Sequence, residues 1–281
     1  MNIGRFQTEQ LSEGFYEIFN DGTLQKMEPH RMDNLKEDTS LGKYSSAIGV
    51  DPLFITDGNV NILLDAGLGW GLDHNSHYNK ISNSVTNLEI FGITPEMIDF
   101  VILSHLHYDH AAGSTYMNRD LETTVTFPNA EYLVQEKEWA FACSHFNDQN
   151  DVNGIGYSMD ELYRLAAEKR FHFIDKEKFE LIPGIGLLRS GGHTPGHQVV
   201  RISDEGKDAY YLGDLIPTEY DLNHYAMKQM DHDPLQSKKF KTRLLREAFE
   251  TGACLFFYHS LFRKSGKLER DEHRKYMLRE G

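Results

Sequence analysis

Between Val101 and His110 an apolar run, Val101-Ile102-Leu103-Ser104, passes directly into His105-Leu106-His107-Tyr108-Asp109-His110, which carries four side chains of the kind that hold metal ions. Residues two apart in a strand point the same way, so His105 and His107 can converge on one cation. The chain must turn after Tyr108, and Asp109 with His110 can then address a neighbouring point, Ala111-Ala112-Gly113 leaving the bend uncrowded. One segment can thus serve two metals. Imidazole suits zinc, iron, cobalt or nickel, and carboxylate admits harder ions such as manganese. The bland alternative, four polar residues on a solvated loop, fits poorly with HxHxDH at the end of a strand-like run.

Further ligands should stand at other strand ends, and three candidates do. His193 follows the loop Ser190-Gly191-Gly192 and opens His193-Thr194-Pro195-Gly196-His197. Asp214 ends the run Tyr210-Tyr211-Leu212-Gly213, where its carboxylate can bridge two ions, and His259 ends Leu255-Phe256-Phe257-Tyr258.

The elements that must position these groups are short apolar runs, at 60–64, 100–103, 132–134, 186–188, 198–202, 209–212 and 254–258, of lengths that suit buried strands. Helices are expected at Thr94-Pro95-Glu96, with Thr94 as cap and Pro95 in the first helical position, and near 135–142, 159–169 and 237–251. The order is mixed α/β. Residues 144–158 read as a surface loop, and the stretch at about 143–172 as an insertion that either caps a site or mediates a homodimer.

Asp and Glu outnumber Lys and Arg by 43 to 29, a formal charge of -14, and such a field repels nucleic acid and anionic membranes. Neither partner is expected. The start, MNIGRFQTEQ, lacks the features of a secretory signal, and no apolar stretch approaches the ~20 residues of a membrane helix. A cytoplasmic protein is expected. With 40% apolar and 26% charged residues over 281 positions the chain can bury a sizeable core. No Pro/Gly/Ser-rich linker divides it, so residues 1–281 are read as one domain. Cys143 and Cys254 stand in unrelated contexts and are read as ordinary thiols.

The ordered set His105, His107, Asp109, His110, His193, Asp214 and His259 resembles that of the metallo-β-lactamase superfamily, over roughly residues 45–260. The resemblance implies an αββα sandwich, two mixed sheets flanked by helices, with a two-metal centre between them. It implies His105, His107 and His193 on a first metal, Asp109, His110 and His259 on a second, and Asp214 shared. It also implies that Asp65, in Leu63-Leu64-Asp65-Ala66-Gly67, orients the ligand loop from behind. Secreted β-lactamases of the best-known class place a cysteine where this chain has Asp214. Glyoxalase II shares a His-Thr-Pro-Gly-His stretch but appends a helical domain, whereas a short tail follows His259 here. Flavodiiron proteins replace the motif's second histidine with glutamate and add a flavin domain, and nuclease members usually carry a basic face. The pattern looks most like the lactonase-like hydrolases, including quorum-quenching N-acyl-homoserine lactonases. One departure stands out: those lactonases carry a catalytic tyrosine three positions after the shared aspartate, where this chain has Pro217; Tyr220, three residues on, either substitutes for it or belongs to a surface turn.

These features predict a dinuclear metal-dependent hydrolase, with zinc foremost and manganese, iron or cobalt as substitutes, that opens a lactone or cleaves another small-molecule carboxylic ester. Two ions about 3.5–4 Å apart bring the pKa of a bound water down toward about 7, so hydroxide is the nucleophile and no serine or cysteine is required. Asp109 and Tyr220 are the expected catalytic residues, Asp109 holding the hydroxide and passing its proton to the leaving group. Thioester hydrolysis, phosphotriester or phosphodiester hydrolysis, and a non-catalytic metal-binding protein are the alternatives. His197 is expected to be structural. His224, Tyr225 and His232 either face substrate or lie on a solvated loop, and Trp139, Phe141, Phe146 and Tyr157 either wall an acyl pocket or join the core. His30, His74, His77, His145, His172 and His273 show no partner pattern.

Overall fold

The computed structural model of the chain describes residues 1–19, 24–27, 45–69, 83–145, 156–157, 159–223 and 231–279. One seven-stranded sheet runs Asn2–Ile3, Phe6–Gln10, Leu53–Thr56, Asn61–Leu64, Phe100–Ile102, Glu131–Gln135, Phe171–Ile174, its last four strands parallel. A second runs Lys178–Ile182, Ile185–Arg189, Gln198–Asp204, Lys207–Tyr211, Cys254–Phe256, Ser265–Arg270, Tyr276–Leu278, with a single parallel pair, Lys207–Tyr211 beside Cys254–Phe256. A three-stranded sheet, Leu24–Lys26, Gly14–Phe19, Ser45–Val50, and a hairpin, Thr115–Met117 with Thr123–Val125, complete the strands described.

The apolar runs form strands because both of their faces are covered. In Asn61–Leu64, Ile62 and Leu64 enter the core between the large sheets while Leu63 points outward. In Cys254–Phe256, Cys254 and Phe256 face inward and Leu255 outward, and Val200 and Val199 divide in the same way. Leu88 of helix Ser84–Ile90, Ala142 of Glu136–His145, and Met159, Leu162 and Leu165 of Met159–Ala167 cover the outer face of the first sheet. Leu244, Leu245 and Ala248 of Pro234–Thr251 cover that of the second. The layers are therefore helix, sheet, sheet, helix, the expected sandwich.

Two local expectations need correction. The helix at Thr94 is a single 3₁₀ turn, Pro95–Met97, and the Thr94 side chain makes no capping bond. The turn cannot lengthen because Asp99 N already donates to Asn61 O, at 2.9 Å, to start the next strand. Helix Ser84–Ile90 escaped notice because only Ser84 and Leu88 are buried; a capping box between Asn83 and Thr86 starts it. Pro234–Thr251 begins three residues before the apolar periodicity, where Asp233 accepts from Leu235 N and Gln236 N and Pro234 takes the first helical position. Of the expected insertion, residues 146–155 and 158 lie outside the described residues.

Parallel pairing sets Leu64 beside Ile102 and Tyr211 beside Phe256, so the segments bearing Asp65, His105, Asp214 and His259 leave the sheets at one rim. Gln198–Asp204 runs antiparallel to Lys207–Tyr211, so its start, not its end, faces that rim, and His193 precedes it. The rim loops interlock: Ala66 N and Gly67 N donate to His110 O at 2.8 and 3.2 Å, and Gly113 N donates to Gly67 O at 2.8 Å. A Cβ on Gly113 would collide with the Ala66 carbonyl. Gly113→Ala should therefore lower stability by about 1–3 kcal/mol, seen as a reduced denaturant midpoint with unchanged slope; an unshifted midpoint would show that the two loops pack independently.

Candidate metal centre

Seven ligand-type side chains meet at this rim in two groups. His105, His107, His193 and Asp214 form one and Asp109, His110 and His259 the other, the candidate ligand atoms within each lying no more than 4.8 Å apart. His107 Nδ1 is 2.9 Å from His105 Nε2 and 3.2 Å from His193 Nε2. His110 Nε2 and His259 Nε2 stand 3.3 Å apart, with Asp109 Oδ2 at 3.8 and 3.4 Å from them. Asp214 faces both groups. Its Oδ1 lies 3.3 Å from His110 Nε2 and 3.2 Å from His259 Nε2, and its Oδ2 lies 3.3 Å from His193 Nε2 and 4.0 Å from His105 Nε2.

Fixed partners behind the rings decide which nitrogen faces the centre. His259 Nδ1 donates to the Gly49 carbonyl at 2.8 Å, and a carbonyl can only accept, so in the neutral ring Nε2 presents a lone pair. His110 Nδ1 donates to Asp65 Oδ2 at 2.8 Å and His193 Nδ1 to Asp231 Oδ1 at 3.2 Å, with the same result. Ser104 Oγ donates to Asp65 Oδ2 at 2.7 Å and can therefore accept from His105 Nδ1 at 3.0 Å. Asp65 gathers four donors: Ser104 N, Ser104 Oγ, His110 Nδ1 and Tyr211 Oη. It does so from a left-handed backbone conformation, φ 56°, which aspartate tolerates better than bulkier residues.

Burial and the surrounding imidazoles hold His105 and His107 well below the ordinary histidine range, as neutral ligands require. Burial acts downward on His110 too, but Asp109, Asp214 and Asp65 outweigh it and hold His110 well above that range; His259 is raised against burial by Asp214 and Asp109. Burial raises Asp109, whereas Asp214 is held well below the usual carboxylate range, against its own desolvation, by His259, His110 and His193. Asp109 Oδ2 and Asp214 Oδ1 are buried without a well-formed hydrogen bond. Imidazole nitrogens crowded together beside such carboxylate oxygens are a costly arrangement for protein alone and, once the rings are neutral, a fitting one for divalent cations.

Tyr220 does not join this assembly. It is 73% exposed and borders a surface hollow of about 360 Å³ with Phe262, Arg263 and Met277. Pro217 O accepts from His259 N at 3.0 Å, and in the turn closed by Thr218 Oγ1 on Asp221 Oδ2 Tyr220 faces solvent while Leu222 enters the core. His197 is structural: its Nε2 accepts from Asp214 N at 2.9 Å while Nδ1 meets Ser190 Oγ at 2.6 Å. The expected aromatic wall divides. Tyr157 lies 5.1 Å from the His107 ring and Phe141 lies 6.2 Å from Tyr157 and 4.9 Å from His232, whereas Trp139 packs on Phe171 and Phe173. His232 N donates to His193 O. His145 stacks on Phe141, while His172 and His273 pair with Glu131 and Glu272 at the surface. His30, His74, His77, Phe146, His224 and Tyr225 lie outside the described residues. The sequence reading missed Asp231, Tyr211, Tyr258, whose Oη donates to Asp109 O at 2.6 Å, and the buried Glu138. Glu138 alone left a trace, a carboxylate four residues before the buried Ala142 on the inward stripe of its helix.

The family model of the metallo-β-lactamase superfamily matches residues 48–248. An N-acyl homoserine lactonase of Azorhizobium caulinodans, AttM, is 31% identical over 146 residues, 50% of this chain and 49% of that protein. The chain spans about half the length of the curated relatives it matches. Among solved structures, a probable metal-dependent hydrolase from Staphylococcus aureus superposes with a TM-score of 0.76 at 24% identity, over 100% of this chain and 99% of the other. AidC, a dizinc quorum-quenching lactonase solved with a product, gives 0.73 at 18% identity, over 100% and 97%. Those two likenesses are of fold. With a family model running through both sheets and six of the seven clustered side chains, the chain belongs to the metallo-β-lactamase superfamily.

Proposed function

We propose that the protein is a dinuclear metal-dependent hydrolase that opens a lactone or cleaves another small-molecule carboxylic ester. The observation that carries this reading is Asp214, which turns one oxygen to each of two imidazole groups. His105, His107 and His193 would hold one cation, Asp109, His110 and His259 the other, and Asp214 both. Zinc suits this imidazole-rich set, with manganese, iron or cobalt as substitutes. Two such ions supply an activated water and an electrophile for the scissile carbonyl.

The chain's own residues do the rest. The acceptors behind the rings keep the Nε2 lone pairs of His105, His110, His193 and His259 aimed inward, which fixes the reacting geometry before substrate arrives. Asp109, kept by Tyr258 at its backbone carbonyl, holds a carboxylate oxygen beside His259 and His110, where it can accept a proton and return it to the departing alkoxide. Tyr157 and Phe141 offer an apolar wall beside His107 for an acyl or aryl group. Similarity to lactonases supports a lactone or ester as substrate. We take residues 1–281 as one hydrolase domain.

Elemental analysis of protein purified without added metal, with a panel of lactones, aryl esters, thioesters, phosphotriesters and cyclic nucleotides, tests this reading. About two metal equivalents and turnover of a lactone or ester are expected; metal without turnover across the panel would reduce the protein to a metal binder. Asp109→Asn should lower kcat roughly 10²–10⁴-fold at saturating metal, and full activity with both metals bound would remove Asp109 from the reaction. Because neighbouring carboxylates hold His110 well above, and His259 above, the ordinary histidine range in the metal-free chain, cation uptake must displace protons from these rings. Apparent affinity should therefore climb with pH above about 6.5. Calorimetry in buffers of different ionisation enthalpy should show net proton release, and none would mean these rings do not bind the cation.

A further inference from the structure

Glu138 is buried and plays no part in the chemistry above, yet it touches three separate walls of one half of the centre. Its Oε1 accepts from Leu106 N at 3.0 Å, the amide between His105 and His107, and from Tyr157 Oη at 3.5 Å, whose ring lies against His107. Its Oε2 accepts from Thr194 Oγ1 at 2.5 Å and from Gly196 N at 3.2 Å, in the turn that follows His193. All four partners are donors and the carboxylate is their common acceptor. The turn also packs directly on the start of the Glu138 helix, since a Cβ on Gly196 would collide with Glu138 N. No hydrogen bond from Glu138 reaches Asp109, His110 or His259 among the described residues. Those residues hang instead on Tyr258 at the Asp109 carbonyl, on Asp65 and on the Gly49 carbonyl.

We propose that Glu138 is a positioning residue that sets the spacing of the His105–His107–His193 half of the centre, independently of the other half. His105 and His107 come from the first sheet and His193 from the second, so a cation shared by them requires the two segments to stay in register. Glu138 joins them at Leu106 and the Thr194–Gly196 turn, beside the bonds from Gln198 to Leu103 O and Ser104 O. The inference rests on the metal-centre reading, but concerns how the two positions differ. Replacing the carboxylate with an amide keeps its size and turns one acceptor into a donor, so that two of the four partners meet an N–H group. The loss should fall on one position only.

The test is titration of metal-free wild-type protein and of Glu138→Gln with Co²⁺, followed by visible absorption and by calorimetry. In wild type two equivalents are expected. In Glu138→Gln one equivalent should weaken roughly 10–100-fold with an altered absorption band, the other remaining unchanged. A general loss of stability would weaken both, and that outcome, or two equivalents bound as in wild type, would overturn the proposal. Thr194→Val, which removes one donor and keeps the carboxylate, should give the same one-sided weakening at smaller amplitude, and serves if Glu138→Gln does not fold. A wild-type chain that binds no Co²⁺ would overturn the metal-centre reading itself, and this one with it.

Discussion

The rest of the structure answers to one constraint: the ligand nitrogens of several imidazoles are held face to face in a buried place. His110 Nε2 and His259 Nε2 stand 3.3 Å apart only because an Asp65 carboxylate and a Gly49 carbonyl have taken the protons on the far sides of the rings. Each acceptor is immobile for its own reason. Asp65 is locked by three further donors, and Gly49 sits in a strand paired with Gly14–Phe19, its N–H donating back to His259 O. Remove the acceptors and each ring is free to turn its proton inward, which ends any affinity for a cation.

That constraint explains the topology better than burial does. A core of this size can be built from many strand orders. Gathering the ends of Asn61–Leu64, Phe100–Ile102, Lys207–Tyr211 and Cys254–Phe256 at one rim needs parallel pairing within each sheet, in the manner of ligand sites at the carboxyl ends of open α/β sheets. Gln198–Asp204 enters from the opposite direction, so its ligand comes before the strand. Direct bonds then tie the sheets where the segments meet: Gln198 N donates to Ser104 O at 2.9 Å and Gln198 Nε2 to Leu103 O at 2.8 Å.

Much of this was legible because strands covered on both faces leave continuous apolar runs, and because ligand-type residues stand out when they terminate such runs. The runs ending at Asp214 and His259 show both signals at once. What escaped detection depends on contacts between distant residues. Asp231 matters through His193, and Tyr211 through Asp65, 146 positions away; neither carries a local mark of that duty. Tyr220 stands outside the cluster for a related reason. Spacing along the chain suggested it, but a turn closed by Thr218 and Asp221 sends it outward. Thr94 had the residues of a helix start without the length of chain to continue one.

The two sheets contribute unequal but inseparable shares of the clustered side chains: four follow Phe100–Ile102 in the first sheet, three flank strands of the second. A cation seated among them would act as a clasp across the mouth of the sandwich, on top of the apolar contacts deeper in. Occupancy would then stabilise the folded chain by about 2.7 kcal/mol when free metal stands at 100 times its dissociation constant. Chelation would be felt first as fraying of this one edge, with the greasy interior still closed beneath it.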